Sequence, residues 1–169
     1  IDGLPDNDPM KVSSLSYNGG SELYMAMKPY KMMGEILRQQ PRDIVFSVCQ
    51  YGMSDVWKWG DAVNGNCWRT TNDITDTWAS VKNIAFDQDK SAPYARPGNW
   101  NDPDMLVVGH VGWGNPHPSK LKPDEQYLHI SLWSLFAAPL LIGCDMEKLD
   151  DFTLNLLTND EVIEINQDP

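Results

Sequence analysis

The sequence predicts an α/β fold built on a parallel sheet, and three observations support this prediction. Four short strand-like runs, three of them predominantly apolar, recur along the chain. Each run is followed by a segment with helical character, an alternation that is typical of βα units. Polar and aromatic side chains gather just past the runs, and such folds place their active sites at the carboxyl ends of parallel strands.

The four predicted strands are short and bounded by loop residues. The first is apolar and β-branched, as expected of a fully buried parallel strand. The second lies in "CWRTTND" and the fourth is "PLLIG", while the third follows the turn in "WNDPDMLVVG". The strands are predicted at residues 43–49, 67–73, 105–108 and 139–143.

The helices are predicted from apolar periodicity and from capping residues. Residues 1–20 read as a loop, and Pro29 is expected to separate the first turn of the first helix from the rest. Asx or Thr side chains start the second helix, Glu125 lies in the first turn of the third, and residues 112–123 read as a loop. The helices are predicted at residues 21–39, 75–84, 124–137 and 151–166.

A closed barrel of eight strands needs about 250 residues, and this chain has 169 residues. It therefore holds material for about half of a (β/α)8 barrel, or for a smaller open sheet. The formal net charge of −11 argues against nucleic acid or an anionic membrane as a partner. No apolar run approaches the ~20 residues of a membrane span.

The cysteines and the chain ends leave the compartment open. Cys49, Cys67 and Cys144 lie far apart without a CxxC pair, and a disulfide between the first two is one arrangement. The chain begins without an initiator Met or a signal sequence, so we expect both ends to be cut or processed.

Asp73 has two interpretations. In "NDITD" either Asp73 or Asp76 would serve well as a helix N-cap or first-turn acid. Alternatively Arg69 holds a substrate hydroxyl or carboxylate, and Asp73 is a general acid. Its pKa would then be raised in a desolvated pocket lined by the flanking tryptophans.

The other candidates carry similar pairs of interpretations. Asp104 either faces solvent beside an Asx-Pro turn or accepts hydrogen bonds from sugar hydroxyls. A metal site at Asp102 and Asp104 has little support without further oxygen ligands. Gln50 and Met53 lie in a surface loop or line a sugar subsite. The three histidines are expected in solvent or on helix surfaces; they are His110, His117 and His129.

The motifs together resemble a known enzyme family. "IVFSVCQYG", "CWRTTNDITDTW", "WNDPDMLVVG", "DEQYLHISLWSLFAAPLLIGCDM" and "LTNDEVIEINQDP" occur in this order. They resemble the second half of the catalytic barrel in glycoside hydrolase family 27, the melibiase-type α-galactosidases and α-N-acetylgalactosaminidases. The resemblance covers roughly residues 20–169 and implies a (β/α)8 barrel, with this chain supplying strands five to eight.

The resemblance also implies roles for single residues in a retaining exo-glycosidase with no cofactor and no metal. Asp73 matches the acid/base position in "RTTNDI", and Arg69 matches an arginine that contacts the sugar and nearby carboxylates. Asp104 and Met105 match sugar-contacting positions. Gln50 and Met53 match the loop around the sugar's 2-position.

Two departures from the family pattern qualify the comparison. The nucleophile motif of the Lys-Tyr-Asp type is absent, so we expect the nucleophile upstream of Ile1 and the chain alone to be inactive; Asp2 lacks the preceding strand and lysine. Gln50 stands where the family often has Glu, and large side chains at Gln50 and Met53 favour a free 2-hydroxyl. This favours an α-galactoside or a β-L-arabinopyranoside.

The expected partner is an α-galactoside-containing oligosaccharide or glycoconjugate. Secretion or a periplasmic location, and a homodimer of the full-length protein, fit the family. The competing hypothesis is a non-catalytic or degenerate carbohydrate-binding barrel, in which Asp73 only positions sugar hydroxyls. Unpaired strand edges predict that the chain alone is poorly soluble.

Overall fold

The computed structural model describes residues 20–112 and 114–168. Apart from Gly20, the loop predicted for residues 1–20 lies outside these residues. Within them the helices are α1 (Gly20–Arg38), α2 (Trp78–Ala85), α3 (Pro123–Leu135), α4 (Asp151–Leu157) and α5 (Asp160–Gln167). The strands are β1 (Ser47–Val48), β2 (Cys67–Arg69), β3 (Trp100–Asp102), β4 (His110–Val111) and β5 (His117–Pro118). Short 3₁₀ segments cover Met53–Lys58, Asp61–Val63, Ala92–Tyr94 and Met146–Lys148.

The predicted parallel sheet is present. Strands β1, β2 and β3 pair side by side and in parallel, with Ser47 opposite Cys67 and Arg69 opposite Asp102. A further parallel bridge joins Leu106 to Ile142. The strands thus align their carboxyl ends along one edge of the sheet.

The third strand was predicted in the wrong place. The pairing segment is Trp100–Asp102, and residues 105–108 contribute only the bridge at Leu106. Pro103 has no N–H for a ladder, and Asp104 takes a left-handed φ of 85°. These two residues end the strand before the apolar run begins. Residues 139–143 likewise form only one bridge, and residues 43–49 pair only at β1.

The helices follow the prediction with two corrections. Pro29 lies inside α1 and does not divide it, because Met27 and Tyr30, on either side of it, both pack against the same tryptophan-rich cluster. The segment 151–166 is two helices, and the Asn159 side chain begins the second by accepting the Val162 N–H at 3.2 Å.

The region predicted as a loop over residues 112–123 contains secondary structure. Strands β4 and β5 form an antiparallel hairpin in which Val111 lies opposite His117. The Ser119 N–H donates to the Gly109 carbonyl at 2.7 Å and continues this pairing past β5. The hairpin begins directly after the buried residues Val107 and Val108.

Two apolar clusters stabilise the described residues. The larger packs α3 and α2 against the segment around Leu106, with Trp133 fully buried at its centre. The smaller packs α1 against Val48 and the tryptophans Trp57, Trp59 and Trp68. Among the described residues, no helix combines the length and apolar character that crossing a bilayer requires.

The cysteines are unpaired. Cys49 is exposed and Cys67 is buried, and both are free, so the disulfide considered from the sequence is not formed. The sheet register explains this, because Cys67 lies opposite Ser47, two residues before Cys49 along β1. Burial raises the pKa of the Cys67 thiol.

His129 was predicted on a helix surface, and this was wrong. The ring is fully buried in α3, its Nε2 accepts the Val107 N–H at 3.1 Å, and it packs edge-on against Trp133 at 4.2 Å. Burial lowers the pKa of His129 to about 4. The neutral ring therefore carries its proton on Nδ1.

Gly52 is the residue at which the loop after β1 packs closely against the end of β2. It has a φ of 77°, and a Cβ there would lie 2.2 Å from the Thr70 carbonyl oxygen. Gly98 has a φ of 87° with nothing within 4 Å of its Cβ position. We expect Gly98→Ala to cost about 1 kcal/mol of unfolding free energy and Gly52→Ala roughly 1–3 kcal/mol more, measured by urea denaturation of the full-length protein. Equal losses would show that the loop moves freely away from β2.

The buried neutral His129 makes stability depend on pH. Its folded-state pKa of about 4 lies below the unfolded value of about 6.5, so the unfolded state binds more protons between these values. Its contribution is complete above pH 6.5 and is lost as pH falls towards 4, by about 1.4 kcal/mol per pH unit. We expect His129→Gln to remove this slope, whereas His110→Gln, at the half-exposed hairpin, retains it. An unchanged slope in His129→Gln would contradict the buried neutral ring.

Candidate active site

The candidate site lies at the carboxyl ends of β2 and β3. Arg69 is the last residue of β2, and it stands opposite Asp102, the last residue of β3. Asp73 follows Arg69 by four residues, and Asp104 follows Asp102 by two. The parallel pairing therefore brings together two carboxylates that are distant in sequence.

Arg69 joins the two loops. Its Nη2 lies 2.8 Å from Asp104 Oδ2 and 3.2 Å from Asp73 Oδ1, and it donates to the Thr71 carbonyl at 3.2 Å. The guanidinium is nearly buried, and the ring of Tyr51 covers it with its centroid 5.2 Å away. Arg69 therefore contacts one carboxylate from each of the two loops.

Asp104 is fixed in the protein interior, so it does not face solvent. Its Oδ2 accepts the Ile74 N–H at 2.8 Å and its Oδ1 accepts the Met105 N–H at 2.8 Å. Its own N–H donates to Asp102 Oδ1 at 2.8 Å. Its carbonyl accepts the Trp133 indole N–H at 2.6 Å. Because a left-handed backbone is costly for aspartate, this dense set of contacts is what holds the unusual φ.

Asp102 lies behind Asp104 and supports it. The side chain is buried, and this desolvation raises the pKa of Asp102, although the hydrogen bond to Asp104 N–H and the nearby Arg69 charge oppose the shift. The Trp68 indole lies on the other side of the strand pair, where it donates to Asn101 Oδ1 at 2.8 Å. The strand end is thus a polar network embedded in the core.

Asp73 does not cap a helix. The N-cap of α2 is Thr77, whose Oγ1 accepts the Ser80 N–H at 3.3 Å. The Asp73 side chain is 75% exposed and contacts Arg69. The desolvated pocket predicted around it is not formed by the described residues, because Trp68 is buried in one core cluster and Trp78 packs against the other.

The remaining predicted residues surround this edge of the sheet. Gln50 is half-buried after β1, and its carbonyl accepts the Met53 N–H at 3.0 Å. Met53 is 55% exposed. Met105 is half-buried, and a Cβ on Gly143 would lie 2.6 Å from its sulfur. They follow β1 and β3, the two neighbours of β2.

Two features of the site were not predicted from the sequence. Tyr51, with a left-handed φ of 56°, covers the Arg69 guanidinium. The motif "CQYG" shows that an aromatic residue follows β1, but it does not show that this residue contacts Arg69. Asp76 was considered only as a helix acid, and it is instead buried against His117 and Lys120. Within residues 20–112 and 114–168, no three His, Cys, Asp or Glu side chains converge as a metal site.

Comparison with known proteins identifies the relatives of the chain. Residues 8–168 match the family Melibiase_2, described as Alpha galactosidase A. Alpha-galactosidase 2 of Arabidopsis thaliana is 47% identical over 139 residues, which is 82% of this chain and 33% of the plant protein. The chain therefore spans about a third of the length of this relative.

Two solved structures resemble the chain closely. A Bacteroides fragilis protein provisionally identified as an alpha-galactosidase/melibiase superimposes with a TM-score of 0.80 at 42% identity, covering 85% of this chain and 32% of that protein. A Geobacillus stearothermophilus GH27 β-L-arabinopyranosidase superimposes with a TM-score of 0.76 at 32% identity, covering 83% and 34%. Enzymes of this family are (β/α)8 barrels, so the prediction that the chain is part of such a barrel is confirmed.

The buried Arg69–Asp104 pair and the exposed Arg69–Asp73 pair should differ in their effect on stability. We expect Arg69→Met to lower the unfolding free energy of the full-length protein by about 3 kcal/mol, because it leaves the buried Asp104 charge unpaired. Asp73→Asn removes the exposed contact of the same guanidinium and should cost less than about 1 kcal/mol. Urea denaturation measures both, and similar costs would mean that Asp104 is not effectively desolvated.

Proposed function

The chain belongs to the Alpha galactosidase A family, and from this premise we propose that the full-length protein is a retaining exo-glycosidase that removes terminal α-galactosyl residues. Asp73 is its acid/base. The chain supplies strands five to eight of the barrel, and an aspartate encoded ahead of Ile1 supplies the nucleophile. Relatives that are glycoside hydrolases favour this function over a non-catalytic carbohydrate-binding barrel.

One observation carries the proposal. A single buried guanidinium, that of Arg69, contacts the exposed carboxylate of Asp73 and the buried carboxylate of Asp104 at the same edge of the sheet. A structural ion pair needs only the buried partner. The second carboxylate is held in place and still open to solvent, which is what a proton donor for an incoming substrate requires.

The chemistry proceeds in two displacements. The nucleophilic carboxylate attacks the anomeric carbon, the bond to the leaving oxygen breaks, and Asp73 gives its proton to that oxygen. Asp73 then takes a proton from water, whose oxygen attacks the anomeric carbon and releases the nucleophile. The two carboxyl groups of such enzymes lie about 5–5.5 Å apart.

Asp104 is suited to holding sugar hydroxyls. Each carboxylate oxygen can accept two hydrogen bonds, and Oδ2 already receives Ile74 N–H and Arg69. Oδ1 receives the Met105 N–H and keeps one acceptor position for a hydroxyl. Arg69 fixes the carboxylate, and the half-buried Met105 side chain supplies an apolar contact for the sugar face.

The substrate is proposed to carry a free 2-hydroxyl. Gln50 provides an amide that can hydrogen-bond such a hydroxyl, and Met53 occupies space that a 2-acetamido group would need. The Geobacillus relative is a β-L-arabinopyranosidase, and that sugar has the ring of galactose without its exocyclic carbon. It is therefore the second candidate substrate beside α-galactosides in oligosaccharides or glycoconjugates.

Several further properties remain predictions. For the full-length protein these are secretion or a periplasmic location and a homodimer. For this chain alone they are inactivity and low solubility. Half of a barrel leaves strand edges without partners, and the proposed nucleophile is not among the residues of this chain.

The acid/base role is tested by Asp73→Ala in the full-length protein with two aryl α-galactosides. We expect kcat/KM to fall by at least about 100-fold for p-nitrophenyl α-galactoside, because general acid catalysis contributes that much. The loss should be much smaller for 2,4-dinitrophenyl α-galactoside, whose leaving group needs no proton. Added azide should raise turnover of that substrate and give an azide product of α configuration.

The matched control is Asp87→Ala, which removes another exposed carboxylate in a local ion pair with Lys90. It should leave both rates within about twofold of the unaltered protein, as expected for an exposed pair. Full activity of Asp73→Ala on both substrates would overturn the assignment. Assays with p-nitrophenyl α-N-acetylgalactosaminide and p-nitrophenyl β-L-arabinopyranoside alongside determine which sugar the protein hydrolyses.

A further inference from the structure

Asp76 makes a second buried carboxylate network three residues after Asp73. The residue is 8% exposed. Its Oδ2 accepts the Lys120 backbone N–H at 3.0 Å and lies 3.0 Å from His117 Nε2. Its Oδ1 lies 3.4 Å from the Lys120 ammonium. All of these partners belong to the hairpin and the segment that directly follows it, 41 and 44 residues away in sequence.

The surroundings of His117 require both of its ring nitrogens to donate. Nε2 faces the Asp76 carboxylate, and Nδ1 lies 2.8 Å from the Asn115 carbonyl oxygen. Both partners are acceptors only, whereas a neutral imidazole carries a single N–H. The two contacts are therefore satisfied together by the charged imidazolium, and a neutral ring would turn a lone pair towards one of them.

The hairpin is thereby attached to the segment that carries Asp73. That segment is held on one side by the Ile74 N–H bond to Asp104 and on the other by the Thr77 cap of α2. Asp76 lies between these two points and supplies the contact to β5. The hairpin itself is anchored elsewhere, since the His110 carbonyl accepts the Asp145 N–H at 2.8 Å.

We propose that the His117–Asp76 ion pair is a positioning contact for the acid/base Asp73. By fixing the hairpin against residues 74–77, it sets where the exposed Asp73 carboxyl stands relative to the leaving oxygen. The inference rests on the proposed function of Asp73. It assigns His117 and Asp76 as positioning residues, since neither touches the reacting atoms.

The contact has a definite pH dependence. The charged groups that face His117 among the described residues are Asp76 and Lys120. The hydrogen bonds to Asn115 and Asp76 raise the pKa of His117 above its usual value, against some desolvation and the Lys120 charge. Burial acts to raise the pKa of Asp76, but the bonds from Lys120 and His117 outweigh it and lower that pKa. The pair is therefore complete between the two pKa values and is lost as pH rises through that of His117.

The test is His117→Gln in the full-length protein, assayed below the His117 pKa with p-nitrophenyl and 2,4-dinitrophenyl α-galactoside. Misplacing the proton donor slows the first displacement, which kcat/KM reports, only for the substrate whose leaving group needs the proton. We expect kcat/KM for the p-nitrophenyl substrate to fall about tenfold, and kcat/KM for the dinitrophenyl substrate to stay within about twofold. Asp76→Asn should behave alike, and the double variant should lose no more than either single one.

Arg96→Gln is the matched control, because it breaks another ion pair between distant loops, the one with Asp61 at 2.5 Å. Asp61 precedes β2 and Arg96 precedes β3, so this pair does not lie in the loops that follow the strands and carry the candidate site. It should change kcat/KM for neither substrate. Equal losses on both substrates in His117→Gln, or additive losses in the double variant, would overturn the positioning role.

A second measurement decides the matter if the variants fail to fold. Hydrogen–deuterium exchange at the imidazole C2 carbon, followed by mass spectrometry across pH, gives the pKa of His117 in the unaltered protein. A value above about 6.5 supports the ion pair, and a value at or below it overturns the proposal. The outcomes for Asp73 remain separate, because Asp73→Ala reports on the proposed function whether or not His117 has any effect.

Discussion

The buried ion pair between Arg69 and Asp104 is the constraint on which the rest of the site depends. Removing two charges from water costs several kcal/mol per ion, and their attraction offsets this only when the remaining hydrogen bonds are made. Backbone N–H groups of the two neighbouring loops bond both oxygens of Asp104, whereas Arg69 Nε is buried without a partner among the described residues. Satisfying this one pair therefore fixes the loops after β2 and β3 relative to each other.

The carboxylates of the site differ in burial: three are buried and held by several contacts, and one is open to solvent. Asp102 and Asp104 are buried and bound on several sides, and Asp76 is buried against the hairpin. Asp73 shares the same arginine but keeps its side chain open. Under the proposed function, Asp73 has to meet the substrate and also stand in a fixed place, and the surrounding buried carboxylates provide a fixed frame for it.

Sequence patterns located the elements better than their pairing. The helices follow from apolar periodicity, and α3 begins and ends within two residues of its prediction. The third strand was misplaced because residues 105–108 are apolar and include two β-branched valines, whereas the backbone had already turned at Pro103 and Asp104. His129 was misjudged because its burial comes from Val107 and Trp133, and the contact with Val107 in particular cannot be read from the residues beside it.

By itself the sequence determined the α/β class, the family and the candidate residues Arg69, Asp73 and Asp104, because strand length, helix period and motif order are local properties of the chain. The tertiary structure sets which carboxylate is buried and which is open, the position of Tyr51 over the arginine, and the contact of Asp76 with His117. These depend on strand register and on loops that meet across up to 41 residues of sequence. Burial and pairing at such distances come from packing, which no short motif encodes.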